Sequence, residues 1–280
     1  MASNKNTVYI ANNLSDVLFH LKTVPNLAIL GGCTSVRQWP ASSLVIRNIN
    51  EFRQINLHEH YVEFGTAVTL EQILSLGRKR IPQVLYDAID TVANPFVRNL
   101  ATIGGNICAD GIYHTLYSPL LALDAQLEIF SLTDAQYIPF SKFVLVPEKC
   151  ILTRVRVPIS DWEVAVFKRL GPEHELTEDS ATFTFLATTQ KGILSDLRIA
   201  FCSNIVIRSR ELENTLIGSR LPLTEKAIEQ FIGQADALYD EAMSDLMDRT
   251  LQNDGMIRVV SPMQKDQFLN LLRTSLNQLT

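Results

Sequence analysis

Two Gly-Gly pairs constrain this chain more than any other feature. Gly31-Gly32 closes the apolar run Leu27-Ala28-Ile29-Leu30 and is followed by Cys33-Thr34-Ser35, while Gly104-Gly105 follows Ala101-Thr102-Ile103 and leads into Asn106. Residues without a Cβ let backbone N–H groups approach an anion, and the short side chains of Thr34, Ser35, Thr102 and Asn106 add hydrogen-bonding groups. For either pair alone the bland alternative is a turn that needs positive φ. Taken together they read as a divided phosphate cradle, with the first half at a strand end, where open α/β sheets place ligands.

Composition narrows the class. With 280 residues, 46% of them apolar, the chain can bury an ample core in two or more compact units. A polar stretch from Met1 to Thr7 and the lack of any apolar run of about eighteen residues predict a cytoplasmic protein with no membrane partner. A formal charge of -5 without Lys/Arg clusters argues against nucleic acid. Cys33, Cys108, Cys150 and Cys202 contain no Cys-x-x-Cys pair, so they fit neither a zinc site nor an iron–sulfur cluster and read as reduced thiols. His58-Glu59-His60 has the alternation of a metal pair on a strand, but without further ligands a surface turn is the better reading.

Local patterns place the elements. A helix is expected from about Leu14 to Leu21, then strands at Leu27–Leu30 and Leu44–Ile46. A new unit begins near Tyr61, with a strand to Phe64 and a capping box, Thr69-Leu70-Glu71-Gln72, opening a helix through Leu76. Pro82 starts another helix, broken at Asn94-Pro95, which delivers the chain into the second glycine turn. Strands follow at Ala125–Phe130 and Ile151–Val157. Trp162–Leu170, Thr182–Gln190 and Asp196–Ser203 then form an antiparallel meander. Ser261-Pro262-Met263-Gln264 reads as N-cap, first-turn proline and capping box of a last helix whose apolar face is Phe268, Leu272, Leu276 and Leu279.

The run Val97-Arg98-Asn99-Leu100-Ala101-Thr102-Ile103-Gly104-Gly105-Asn106-Ile107 resembles the signature of the FAD-binding subunit of the molybdenum hydroxylases, the family of xanthine dehydrogenase and carbon monoxide dehydrogenase. Leu27 to Ser35 is similar to that family's first dinucleotide loop, and Leu120 to Ala125, Ile151-Leu152 with Pro158, Asp196 to Ala200, Arg208 with Glu213, and the helix around Lys265 and Phe268 extend the likeness. The resemblance implies an α+β chain: a two-subdomain FAD-binding fold of the PCMH type over 1–160, with subdomains of about 1–57 and 58–160, then a C-terminal α+β domain over 161–280 with a three-stranded antiparallel sheet and helices. It implies FAD held by Leu27, Ile29, Leu30, Gly31, Gly32, Cys33, Thr34 and Ser35, by Thr102, Gly104, Gly105 and Asn106, and by Thr115, Leu152 and Lys168. No catalytic residue and no metal ligand is implied on this chain. The expected partners are a molybdopterin-binding large subunit and a small subunit with 2Fe-2S clusters, and the expected acceptor is external, such as a nicotinamide.

Each assignment has a plainer alternative. Leu27, Ile29, Leu30 and Leu152 also read as buried strand residues, and Lys168 as a solvated strand-end lysine or as a cation beside the flavin. Cys33 and Cys108 invite covalent flavin attachment but read better as small hydrophobes. The family's usual Pro-x-x-Asp after Gly-Gly-Asn is replaced by Ile112-Tyr113-His114-Thr115, so a ribityl-binding carboxylate becomes Thr115, which alternatively caps a helix beginning near Leu116. The acidic loop around Glu173-His174-Glu175 and Glu178-Asp179 also departs from the family pattern. Two rivals follow: a stand-alone flavoenzyme of the same broad fold, such as a reductase of cell-wall precursor synthesis, and a scaffold subunit that has lost its flavin.

Overall fold

A computed structural model describes residues 6–109, 115–172, 176–252 and 261–279. Ile112-Tyr113-His114 and Glu173-His174-Glu175, both singled out above as departures, lie outside the described residues. The chain forms two compact units, one made of Met1–Pro82, Val92–Asp110 and Asp124–Ile159, the other of Gln83–Thr91, Gly111–Leu123 and Ser160–Thr280.

The first unit opens with β1 (Thr7–Ile10), α1 (Leu14–Thr23), β2 (Ala28–Leu30) and β3 (Ser42–Val45). β1 and β2 both pair in parallel with β3 to give the order β1-β3-β2. The Asn13 side chain accepts the Asp16 N–H to cap α1, whose Val17 and Leu21 pack with Leu44, Ile46, Ile49 and Phe52. Sequence patterning missed β1, because its residues are partly exposed and carry no clean alternation.

The chain continues through β4 (Ile55–Leu57), β5 (Tyr61–Gly65) and α2 (Leu70–Leu74), then α3 (Gln83–Asp90), α4 (Pro95–Arg98), α5 (Ile103–Cys108) and α6 (Tyr117–Ala122), of which α3 and α6 belong to the second unit. The Thr69–Gln72 capping box forms as expected, but α2 stops at Leu74 rather than reaching Leu76. β6 (Gln126–Phe130), β7 (Ala135–Pro139) and β8 (Ile151–Pro158) complete an antiparallel sheet ordered β4-β5-β8-β6-β7. One face buries Val62, Phe64, Leu127, Val155 and Val157.

The other face of that sheet carries charge. Arg156 donates to Glu63 Oε1 through Nε at 2.9 Å and an Nη at 2.7 Å, Tyr137 donates its hydroxyl to the same oxygen at 3.0 Å, and the guanidinium lies over the Tyr61 and Tyr137 rings. Burial by itself would raise the Glu63 pKa, but these hydrogen bonds and the charges of Arg156 and Arg154 outweigh it and hold the carboxyl below its ordinary value. His58 stacks on Tyr61 and approaches Glu63 at 3.8 Å. Among the described residues no group of three or more His, Cys, Asp or Glu is placed to hold a metal ion.

The second unit contains β9 (Val164–Leu170), β10 (Ala181–Gln190), β11 (Ile193–Cys202), β12 (Val206–Ile207), α7 (Arg210–Asn214), α8 (Glu225–Gln252) and α9 (Pro262–Leu276). Its sheet is the expected meander with the short β12 added, in the order β12-β11-β10-β9. The last carbonyls of α6 accept from arginines, Leu121 from Arg208 at 3.2 Å and Ala122 from Arg198 at 3.5 Å. Arg208 also pairs at 3.1 Å with the buried Glu213, which accepts the Ile199 N–H at 2.7 Å. Phe268, Leu272, Leu276 and Leu279 of α9 are buried against Phe183, Phe201 and Phe231 as the periodicity predicts. The capping box at Ser261 does not form: Ser261 makes no side-chain cap, and Gln264 donates instead to the Glu178 carbonyl at 3.0 Å. No helix among the described residues is long and apolar enough to cross a membrane.

Candidate functional site

The first glycine pair lies in a loop. β2 ends at Leu30, and Gly31, Gly32, Cys33 and Thr34 carry backbone N–H groups with no hydrogen-bond partner among the described residues. Cys33 has φ +58°, the left-handed conformation that turns successive N–H groups toward one concavity. Amides that the protein leaves open in this way can receive an anion in place of water. Gly32 has a different task. A Cβ there would lie 1.7 Å from the Leu100 carbonyl oxygen, so the loop is seated directly on the backbone that leads to the second pair.

The second pair lies in a helix and not in the expected turn. Gly104 and Gly105 are the second and third residues of α5, whose N-cap is Thr102. Asn94 caps α4 by accepting the Val97 N–H at 3.0 Å, and Arg98 donates to Glu71 Oε2 at 2.9 Å and to the Val92 carbonyl at 3.2 Å, which fixes the entry to α5. The N–H groups at the start of α5 are all engaged: Ile103 with Val68 O, Gly104 with Thr66 O, Gly105 with Thr102 Oγ1 and Asn106 with Thr102 O. In this structure those four N–H groups make their bonds within the protein. What α5 contributes is a wall without Cβ atoms. A Cβ on Gly104 would lie 1.8 Å from Thr66 Oγ1, whereas Gly105 is exposed and would meet only Thr102 Oγ1 at 3.0 Å. None of the four glycines has positive φ, so neither pair is a turn of that kind, and the helical φ of Gly105 suits any residue.

Both segments border a cavity of about 640 Å³ inside the first unit. Of the residues singled out in the sequence, Leu27, Ile29, Gly31, Thr102, Gly104, Gly105 and Leu152 line it. Leu30 is buried beneath, Gly32 is packed on Leu100, and Cys33, Thr34 and Ser35 are exposed on the loop. Asn106 follows on α5, and its Oδ1 is buried without a hydrogen-bond partner. Thr115 and Lys168 belong to the second unit, Thr115 buried and Lys168 exposed on β9. Thr115 does not cap α6, whose N-cap position is Leu116 with no side-chain bond. Cys108 also lines the cavity. Sequence reading passed over Thr66, Lys22, Asn26 and Lys149, which reach the same space from the end of β5, the end of α1 and the loops before β2 and β8. Only Thr66 carried a usable signal, as a polar residue directly after a buried strand.

The family model described as the FAD binding domain in molybdopterin dehydrogenase matches residues 3–160. The chain belongs to this family. It is 28% identical over 252 residues to the xanthine dehydrogenase FAD-binding subunit of Escherichia coli O157:H7, covering 80% of this chain and 84% of that one. It is also 28% identical over 135 residues to the nicotinate dehydrogenase FAD-subunit of Eubacterium barkeri, covering 45% of each. In fold it matches a chain of the carbon monoxide dehydrogenase of Hydrogenophaga pseudoflava with a TM-score of 0.78 at 18% identity, over 98% of this chain and 95% of that one.

FAD is the family's cofactor, and the residues present fit it. The unpaired amides of Gly31 to Thr34 suit a diphosphate, the exposed Gly105 leaves room for a ligand against α5, and the orphaned Asn106 Oδ1 suits a hydroxyl or N–H donor. Leu27, Ile29 and Leu152 supply apolar surface between these polar groups.

Proposed function

We propose that this chain is the FAD-binding, electron-transferring medium subunit of a multi-subunit molybdenum hydroxylase of the xanthine dehydrogenase type. It receives electrons from iron–sulfur clusters on a small partner subunit, which in turn serves a molybdopterin-binding large subunit, and it passes them to an external acceptor such as NAD. The observation that carries the reading is the row of unpaired amides at Gly31 to Thr34 beside the Cβ-free wall of Gly105. When bound, FAD supplies the redox chemistry, exchanging electrons singly or in pairs. The protein's part is to bind and orient it. The amides would hydrogen-bond the diphosphate, Asn106 Oδ1 would accept from a cofactor donor, and Leu27, Ile29 and Leu152 would keep water from the buried portion. Thr115 and Lys168 are assigned to the cofactor on the family resemblance, Lys168 as a cation that stabilises negative charge on the reduced ring.

The test is purification of the chain alone and with its two expected partners. The chain should hold one FAD that acid or heat releases, and the assembly should reduce NAD when given the substrate of the large subunit. A chain that takes up no FAD would favour the flavin-free scaffold, and turnover of a substrate by the isolated flavoprotein would favour the stand-alone enzyme.

A further inference from the structure

Two cations also line the cavity. Lys22 comes from the last turn of α1 and Lys149 from the loop before β8, and both border the same space as Gly31 and Gly105. Neither has an ion-pair partner among the described residues. In a chain of net charge -5, two unpaired lysines at one cavity run against the general charge balance. The single carboxylate in the lining is Glu148, which leaves a net positive charge there.

Lys149 is the third residue of a turn that the Cys150 N–H closes on the Pro147 carbonyl at 3.1 Å. It has φ +61°, and Asn26, which lines the same cavity, has φ +51°. Asn tolerates the left-handed region because its short side chain can bond locally, whereas a long side chain without Cγ polarity is uncommon there. Lys22 has a second rationale, since a cation in the last turn of α1 also complements the helix carbonyls; the left-handed φ of Lys149 belongs to its turn, so its case rests on its place in the lining.

We propose that Lys22 and Lys149 are positioning residues for FAD, supplying the counter-charge to its diphosphate while the amides of Gly31 to Thr34 supply the hydrogen bonds. The inference rests on the FAD reading above. An ammonium is a point charge on a flexible stem, suited to a phosphate whose orientation the backbone has already set. Glu148 opposes them and tempers the affinity.

The experiment is titration of the FAD-free full chain with FAD and, separately, with riboflavin, which shares the ring and ribityl chain but lacks phosphate. Flavin fluorescence is read between about 0.05 and 0.5 M salt. Lys149→Gln and Lys22→Gln should each weaken FAD binding roughly three- to ten-fold, the double variant more, with a shallower dependence on salt and with riboflavin affinity unchanged. Lys149→Arg should retain most of the affinity, and Glu148→Gln should increase it. FAD affinity and salt dependence equal to wild type in the double variant would overturn the inference while leaving the FAD reading intact. An equal loss of riboflavin and FAD would also overturn it, because the lysines would then be shaping the cavity rather than meeting the phosphate. No FAD binding by the wild-type chain would overturn both.

Discussion

Gly31-Gly32 and Gly104-Gly105 are the same dipeptide in two backbones. In the first the chain is a loop whose amides are unpaired and whose left-handed residue is Cys33; in the second it is the opening of a helix whose amides are all bonded within the protein. Within each pair the labour is divided again. Gly32 and Gly104 are needed because neighbouring atoms, Leu100 O and Thr66 Oγ1, occupy the place of a Cβ, while Gly31 and Gly105, which with Gly104 border the cavity, would meet only the Thr102 side chain, at 2.9 and 3.0 Å. A glycine motif thus reports close approach without saying whether a ligand or the protein itself makes the approach.

The comparison breaks most sharply at Gly32. With Leu100 O at 1.7 Å from an added Cβ, Gly32→Ala should displace the loop from the backbone before α5 and cost about 3 kcal/mol or more, read by urea denaturation of the FAD-free chain. Stability equal to wild type would show that the two segments are not wedged together.

The support of the second pair is the next target. Thr66, whose carbonyl receives the Gly104 N–H at 3.0 Å, directly follows β5, and β5 is tied to β8 by Glu63 and Arg156. Because the folded-state pKa of Glu63 is lowered, its contribution is fully present above the ordinary carboxylate value and is lost as pH falls through the lowered one. Glu63→Gln should cost about 1–3 kcal/mol at neutral pH and should lose less stability than wild type on acidification to below about pH 4. Parallel pH profiles for the two proteins would remove Glu63 from this role.

Gly105 sharpens the contrast with Gly32. Its helical φ and the single 3.0 Å neighbour mean that Gly105→Val should leave stability within about 1 kcal/mol of wild type and weaken FAD binding at least about ten-fold. Normal FAD binding by this variant would take α5 out of the site. The smallest effect is expected at Cys33. Cys33→Gly keeps the amide and relaxes the left-handed backbone, so stability should change by less than about 1 kcal/mol and FAD affinity should be retained. A large loss of FAD would mean that the thiol, and not the backbone, meets the cofactor.

How far these features were legible in the sequence depended on the range of the interaction. The Thr69–Gln72 capping box and the apolar face of α9 follow from patterns within a few residues, and the structure has Thr69 and Phe268 in those roles, whereas the caps at Asn13 and Asn94 were not read. Gln264 was misread at the same scale because its side-chain amide is turned to donate to Glu178 O, which is remote in sequence. β1 escaped because parallel pairing with β3 needs no local alternation.

The amino-acid sequence by itself determined that two backbone segments must lack side chains, where most of the helices and strands lie, and, through the run from Val97 to Ile107, which family the chain resembles. Only the tertiary structure decided which segment offers its amides and which uses them internally. Whether an N–H is free depends on partners brought from elsewhere, here Thr66 O and Val68 O beside α5 and, among the described residues, none beside Gly31 to Thr34. The same holds for Lys22 and Lys149, far apart in the chain and ordinary in composition, which acquire a shared cavity only when α1 and the loop before β8 fold around it.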